Sequence, residues 1–225
     1  VSFSVPKGCI CGFIGQNGAG KTTTISLILD IIKKDGGTIE VMGQSMEENG
    51  VELKESIGVV YDEMGFHEFM TPNEINTMMK HVYKNWQQDV FFDYLKRFSL
   101  PRKKRCGAFS RGMRMKLQIA VALSHNAQLL IMDEPTSGLD PLMQKVFFEI
   151  IEERIASGAT VFLSSSTVSL MARSARVSGF TCSTENCSAG IIHGSPGVFG
   201  LMYESISFCR PAGLENSSVS ASTLT

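Results

Sequence analysis

The sequence predicts an α/β fold with a mostly parallel core sheet and an inserted helical subdomain. Three observations predict it. Short apolar strands at Cys9–Ile14 and Leu129–Met132 each run into chemically loaded residues, Gly15 to Thr22 after the first and Asp133-Glu134 after the second. A glycine-rich loop passes from the first strand directly into a helical pattern. Between the two strands the apolar residues recur mainly at helical spacing.

Composition bounds the fold. The 225 residues are 43% hydrophobic and 19% charged with net charge −1, which suits one globular domain of fair size or one domain plus an appendage. A near-neutral chain lacks the surplus of Lys and Arg that neutralises a phosphate backbone, so nucleic acid is not an expected partner. No run reaches the roughly 18 to 20 apolar residues that cross a bilayer, and no secretory signal is present. Val1, Phe3 and Val5 alternate with Ser2 and Ser4 as in a strand, so a segment upstream of Val1 is expected. The six cysteines form no disulfide framework in a chain of this length, and a reducing compartment is expected. Cys9 and Cys11 share one face of a strand and are expected in a core. Cys182, Cys187 and His193 match no zinc spacing.

After the strand Cys9–Ile14 comes Gly15-Gln16-Asn17-Gly18-Ala19-Gly20-Lys21-Thr22, then a helical run from Thr23 to Lys34. This is the order of a phosphate-binding loop. Its glycines let successive N–H groups converge on phosphate oxygens, and the helix presents its positive end. Lys21 is placed to reach the β and γ phosphates, Thr22 to bind Mg²⁺ through its hydroxyl, and Thr23 to hold the α phosphate. A turn that merely caps a helix does not explain Gly-Lys-Thr at this offset. Ile25, Ile28, Leu29 and Ile32 form the expected core face, and Asp35-Gly36-Gly37 is expected to stop the helix. Thr38–Met42 and Ile57–Tyr61 read as strands separated by a turn at Gly43.

Thr71-Pro72-Asn73-Glu74 is a capping box with proline at the first helical position, so a helix begins near 72. Phe91, Tyr94, Leu95 and Phe98 mark a second helix ending near Leu100-Pro101, and a third begins near Ser110. Leu129 to Met132 then delivers Asp133 and Glu134, with Pro135 halting regular structure. Ligands of open parallel sheets lie at the carboxyl ends of strands, so this pair is aimed at the phosphates. Asp133 is the expected Mg²⁺ partner, usually through water. Glu134 is the expected catalytic base that orients and deprotonates the attacking water. Ala159–Leu163 is the last strand of this part.

These residues resemble the ATP-binding cassette (ABC) proteins, a branch of the P-loop NTPases. Ser110-Arg111-Gly112-Met113 is similar to the signature motif, usually Leu-Ser-Gly-Gly-Gln, with Arg and Met in place of a Gly and the Gln. Ser137-Gly138-Leu139-Asp140 resembles the D-loop. The resemblance covers roughly residues 1–163 and is closest to ATPase subunits of bacterial multidrug or antibiotic exporters. It implies ATP with Mg²⁺, and a head-to-tail homodimer or heterodimer in which each ATP lies between one phosphate loop and the partner's signature motif. It also implies a separate integral membrane permease, hence a cytoplasmic, peripheral position on the inner face of the membrane. Ser110 and the N–H of Gly112 at a helix start suit an anion supplied by a second subunit. An ordinary Ser N-cap fits the same residues.

Two departures bear on mechanism. The family's Q-loop glutamine falls at Asp62, where a carboxylate suits a hard cation or stands as a solvated loop acid. The switch histidine falls at Ser166, within Ser164-Ser165-Ser166, and none of His67, His81, His125 or His193 has that offset. The adenine-stacking residue of the family lies upstream of this sequence. No Asn-Lys-x-Asp motif points to guanine. A soluble DNA-repair ATPase with the same signature would need long coiled-coil arms, and no sustained heptad run is present.

Lys96, Arg97, Arg102, Lys103, Lys104, Arg105, Arg111, Arg114 and Lys116 read as a solvated helical face rather than a nucleic-acid patch. Met64, Met70, Met78, Met79, Met113 and Met115 read as core filler, with docking of a partner helix as the alternative. Composition breaks near residue 164. Residues 1–163 hold 10 Ser and 37 of the 43 charged residues, whereas 164–225 hold 15 Ser, 6 charged residues and neither Lys nor Asp. The domains expected are an ABC ATPase at 1–163, N-terminally incomplete, with its helical subdomain at about 64–125, and a Ser-rich tail at 164–225. The tail reads as a divergent, partly disordered extension or as the product of a shifted reading frame. The second is preferred because resemblance stops within a motif.

Overall fold

The structure, a computed structural model, describes residues 3–63 and 65–166, together with the backbone of 207–211. Readings that rest on Val1, Ser2, Met64, Cys182, Cys187, His193 and most of the tail lie outside the described residues. Strand β1 (Cys9–Ile14) is buried at all six positions. Full burial follows from its place in the sheet, whose order is β4-β5-β6-β1-β7. Strands β4 (Ile57–Val60), β5 (Leu129–Met132), β6 (Thr160–Ser165) and β1 are mutually parallel. Strand β7 (Ser207–Pro211) runs antiparallel on the far side of β1, pairing Cys9 with Pro211 and Phe13 with Ser207. The prediction of a mostly parallel sheet is met, with one antiparallel strand that no sequence pattern announced.

Alternation along the strands feeds two cores. Ile10, Ile14, Leu130, Met132, Val161 and Leu163 join helices α3 (Pro72–Val82), α4 (Gln88–Arg97), α5 (Arg111–Ala122) and α6 (Pro141–Ala156). Cys11, Phe13, Ile131 and Phe162 point the other way, to α1 (Lys21–Ile28), α2 (Met46–Glu55) and a two-stranded ribbon, β2 (Glu40–Val41) with β3 (Gln44–Ser45). Cys9 and Cys11 are both buried in the core, as expected. Phe3 stacks on Phe13 and Phe162 at 5.9 and 5.7 Å. Residues 3–6 nevertheless form no strand, a correction to the N-terminal reading.

Helix α1 also ends earlier than predicted. After Ile28, Asp30 adopts φ 51°, its N–H bonds Leu27 O, and the N–H of Ile31 bonds Ser26 O. This Schellman pattern closes the helix about two turns before Asp35. Ile32 therefore leaves the apolar face and is 40% exposed, whereas Ile25 and Leu29 stay buried. The expected strand Thr38–Met42 shrinks to Glu40–Val41, because Met42 and Gly43 at φ 53° and 76° make a tight hairpin turn to β3. Helices α2 and α6 had not been predicted.

The capping box at α3 forms as read. Thr71 N–H donates to Glu74 Oε2 at 2.7 Å, and these bonds hold the Glu74 carboxyl below its usual range. Helix α5 presses on β4, where a Cβ added to Gly58 would lie 2.5 Å from Ala122 O. Met79 and Met115 are buried, and Met70, Met78 and Met113 pack against the same core. Several cations of the basic stretch have partners. Arg102 lies 4.1 Å over the Phe92 ring, and Arg114 donates to Phe109 O and Gly107 O.

His125, buried against the Tyr83 ring at 3.9 Å, faces Ile57 O and Val121 O. Burial lowers its pKa. The unfolded chain therefore takes up a proton near pH 6.5 that the folded chain refuses, so this contribution to stability is complete above about pH 6.5 and is lost as pH falls below it. The urea midpoint is expected to drop between pH 7.5 and 5.5, with a shallower drop in His125→Gln. An equal drop in both would place the proton uptake elsewhere.

Candidate functional site

The carboxyl ends of β1, β5 and β6 gather the predicted phosphate and metal residues. Gly18 and Gly20 take φ 84° and 86°, a left-handed conformation that β-carbons disfavour, and Gly20 opens α1 without a side-chain cap. The N–H groups of the first turn are thus free of side-chain competition. Gln16, Asn17, Gly18 and Ala19 are exposed, as are the threonines Thr22 and Thr23, while Gly15 is buried. Lys21 is buried, and its Nζ donates to Gly15 O at 2.7 Å and Gln16 O at 3.1 Å.

The acids arrive from β5. Asp133 is 3% exposed, and its N–H extends the ladder to Val60 O at 2.8 Å. Its Oδ2 accepts from Thr22 Oγ1 at 2.5 Å. A hydroxyl and a carboxylate side by side are hard oxygen donors, and one or two such groups plus substrate phosphates are what Mg²⁺ takes. The residues present therefore fit that ion. Glu134 follows with φ 47°, a strained value for a non-glycine residue at a site of chemistry. Its Oε1 is buried without a hydrogen bond among the described residues and lies 3.5 Å from Lys21 Nζ.

Strand β6 lies between β1 and β5, and its end supplies residues that the sequence reading had not assigned to the site. Ser164 Oγ donates to Asp133 Oδ1 and accepts the Glu134 N–H at 3.1 Å. Ser165 O accepts the Gly15 N–H at 3.1 Å. Ser166, where the resemblance led us to expect a switch histidine, is exposed just past the strand. The one sequence signal for Ser164 was a hydroxyl directly after the apolar run Val161-Phe162-Leu163.

The signature-like residues sit at the start of α5. Ser110 caps it, accepting the Met113 N–H at 3.3 Å. A Cβ on Gly112 would fall 2.6 Å from Gly138 O, so the Ser137–Asp140 loop lies directly against the helix start. Asp140 caps α6 through the Met143 N–H at 2.9 Å. Arg111 Nη2 donates to Asp62 Oδ1 at 2.5 Å, joining two of the positions where departures from the family pattern were read. The neighbouring Tyr61 is held from α5 as well: Gln118 Nε2 donates to Tyr61 O at 2.9 Å and its Oε1 accepts the Tyr61 N–H at 3.3 Å. The Tyr61 hydroxyl is buried without a partner among the described residues, and burial, then the charge of Asp133, push its pKa up. Gln118 was missed in the sequence, although a polar residue on the buried face of a helix is a visible signal.

Known proteins share this arrangement of sequence and fold. A family model described as ABC transporter matches residues 1–137. The bacitracin transport ATP-binding protein BcrA of Bacillus licheniformis is 38% identical over 176 residues, covering 75% of this chain and 56% of that protein. The ABC transporter ATP-binding protein NatA of Bacillus subtilis is 34% identical over 171 residues, covering 73% and 70%. A solved ATP-binding subunit of an ABC transporter superposes with TM-score 0.71 at 28% identity, covering 77% of this chain and 74% of the other. The chain spans about half the length of the bacitracin relative.

Proposed function

The chain belongs to the ABC transporter family, and from that premise we propose that it is the ATP-binding and ATP-hydrolysing subunit of a transporter, powering a separate membrane permease in export. One observation carries the reading: Thr22, Asp133, Lys21 and Glu134 meet through contacts of 2.5 and 3.5 Å although they come from two distant motifs. The backbone of Gly15–Thr23 cradles the phosphates, and Lys21 exchanges its carbonyl partners for β and γ oxygens. Thr22 and Asp133 would hold Mg²⁺, which when bound would neutralise charge on the transferring phosphoryl group. Glu134 orients the attacking water and takes its proton. Ser110, Arg111, Gly112 and Met113 face the ATP of a second ATPase subunit, homologous or identical, with the Asp140 loop beside them. Asp62 remains a further candidate metal ligand, held by Arg111 in this structure.

Docking to the permease places the subunit on the cytoplasmic face of the membrane. No helix among the described residues is long and apolar enough to cross a bilayer. Export follows from the exporter resemblance. The test is Mg²⁺-dependent phosphate release from ATP by the full chain and by Glu134→Gln. Equal release from the two proteins would sink the hydrolysis reading.

A second reading is an ATP-binding subunit with little turnover, favoured by Ser166 standing exposed where the family carries histidine. A hydroxyl lacks the reach and charge of imidazole. Ser166→His is then expected to raise turnover about tenfold or more. Turnover unchanged in that variant would remove Ser166 as the limit.

A further inference from the structure

Ser164 is fully buried near the end of β6, between the phosphate-loop strand and the acid strand. A hydroxyl has one proton to give and two lone pairs to offer, and this one uses both capacities. It donates to Asp133 Oδ1 and accepts from the Glu134 N–H at 3.1 Å. Both neighbours need such a partner. Asp133 must present Oδ2 to Thr22 while its other oxygen is buried, and Glu134 must keep φ 47°, a left-handed conformation that a non-glycine residue disfavours. We propose that Ser164 is a positioning residue for ATP hydrolysis: its hydroxyl sets the orientation of the Asp133 carboxylate toward the metal side and holds the Glu134 backbone so that its carboxylate faces Lys21. The proposal rests on the ATPase reading above and adds to it a residue outside the phosphate loop and the acid pair. The hydroxyl ties the metal residue to the base residue, so removing it disturbs metal and water placement together while the phosphate cradle, built on β1 and α1, keeps its shape.

Ser164→Thr and Ser164→Val test this, because they share a shape and differ by a hydroxyl against a methyl. The readouts on the full chain are Mn²⁺ binding at saturating ADP by electron paramagnetic resonance, ADP affinity in EDTA, and kcat and KM for MgATP. The Val variant is expected to weaken Mn²⁺ binding about tenfold, to raise KM for MgATP by a similar factor and to lower kcat about tenfold, with metal-free ADP affinity within about twofold of wild type. The Thr variant is expected within about threefold of wild type on every readout. Val and Thr behaving alike in the Mn²⁺ signal, whether both normal or both impaired, would overturn the role of the hydroxyl. Wild type binding Mn²⁺ and ADP without turning over ATP would defeat the hydrolysis reading, and the Mn²⁺ comparison would still decide the proposal for Asp133. Wild type binding neither would remove the nucleotide site and the proposal with it.

Discussion

Glu134→Gln is expected to lower ATP turnover by about 10²- to 10³-fold while ATP affinity stays within about threefold, because the amide keeps the shape of the side chain and cannot take a proton. The geometry favours this separation. Glu134 contacts Lys21 at 3.5 Å, and its Oε1 accepts no hydrogen bond among the described residues, so exchanging the carboxylate for an amide breaks no hydrogen bond of that oxygen. Its backbone is held by Ser164 independently of the side chain. Losing the carboxylate also frees Lys21 for phosphate, which offsets any lost water contact in the ground state. With hydrolysis blocked, ATP is expected to hold two subunits together, seen as a shift to dimer in gel filtration with ATP. Phosphate release at the wild-type rate would take the base role away from Glu134.

Lys21→Ala is expected to weaken ATP binding about 100-fold, read by calorimetry or a fluorescent ATP analogue. The ammonium is buried yet held by two carbonyls of its own loop, so it is pre-positioned and spends little ordering entropy on meeting phosphate. A charge-assisted contact to each of two phosphates, at about 1.5 kcal/mol apiece, accounts for that factor. Lys21→Arg is not expected to rescue, since a planar guanidinium does not fit between Gly15 O and Gln16 O as a compact ammonium does. Binding retained within threefold in Lys21→Ala would break the assignment of the loop.

Much of the site was legible because its signals are local. Gly15 to Thr22 is a strand, a loop and a helix start within a few residues, and Asp133-Glu134 follows an apolar strand directly. The capping box at Thr71 and the cap at Ser110 are equally local, and both helices begin where the side chains can bond the first-turn N–H groups. Helix α6 was missed because its run Val146-Phe147-Phe148 with Ile150-Ile151 suits a buried strand as well as a helix. Helix α1 was overextended because the αL turn at Asp30 is a bond pattern, not a composition.

By itself the sequence determined which functional groups the protein owns: a lysine and a threonine at a helix start, two carboxylates after a strand, and a helix cap of signature type. Only the tertiary structure decided which of them touch. Thr22 meets Asp133, Ser164 meets both acids, and Arg111 meets Asp62 because the strands order as β4-β5-β6-β1. Side-chain period says which face a residue takes but not which strand lies beside it. That choice belongs to the packing of whole layers, and it brings residues more than a hundred positions apart into hydrogen-bond contact.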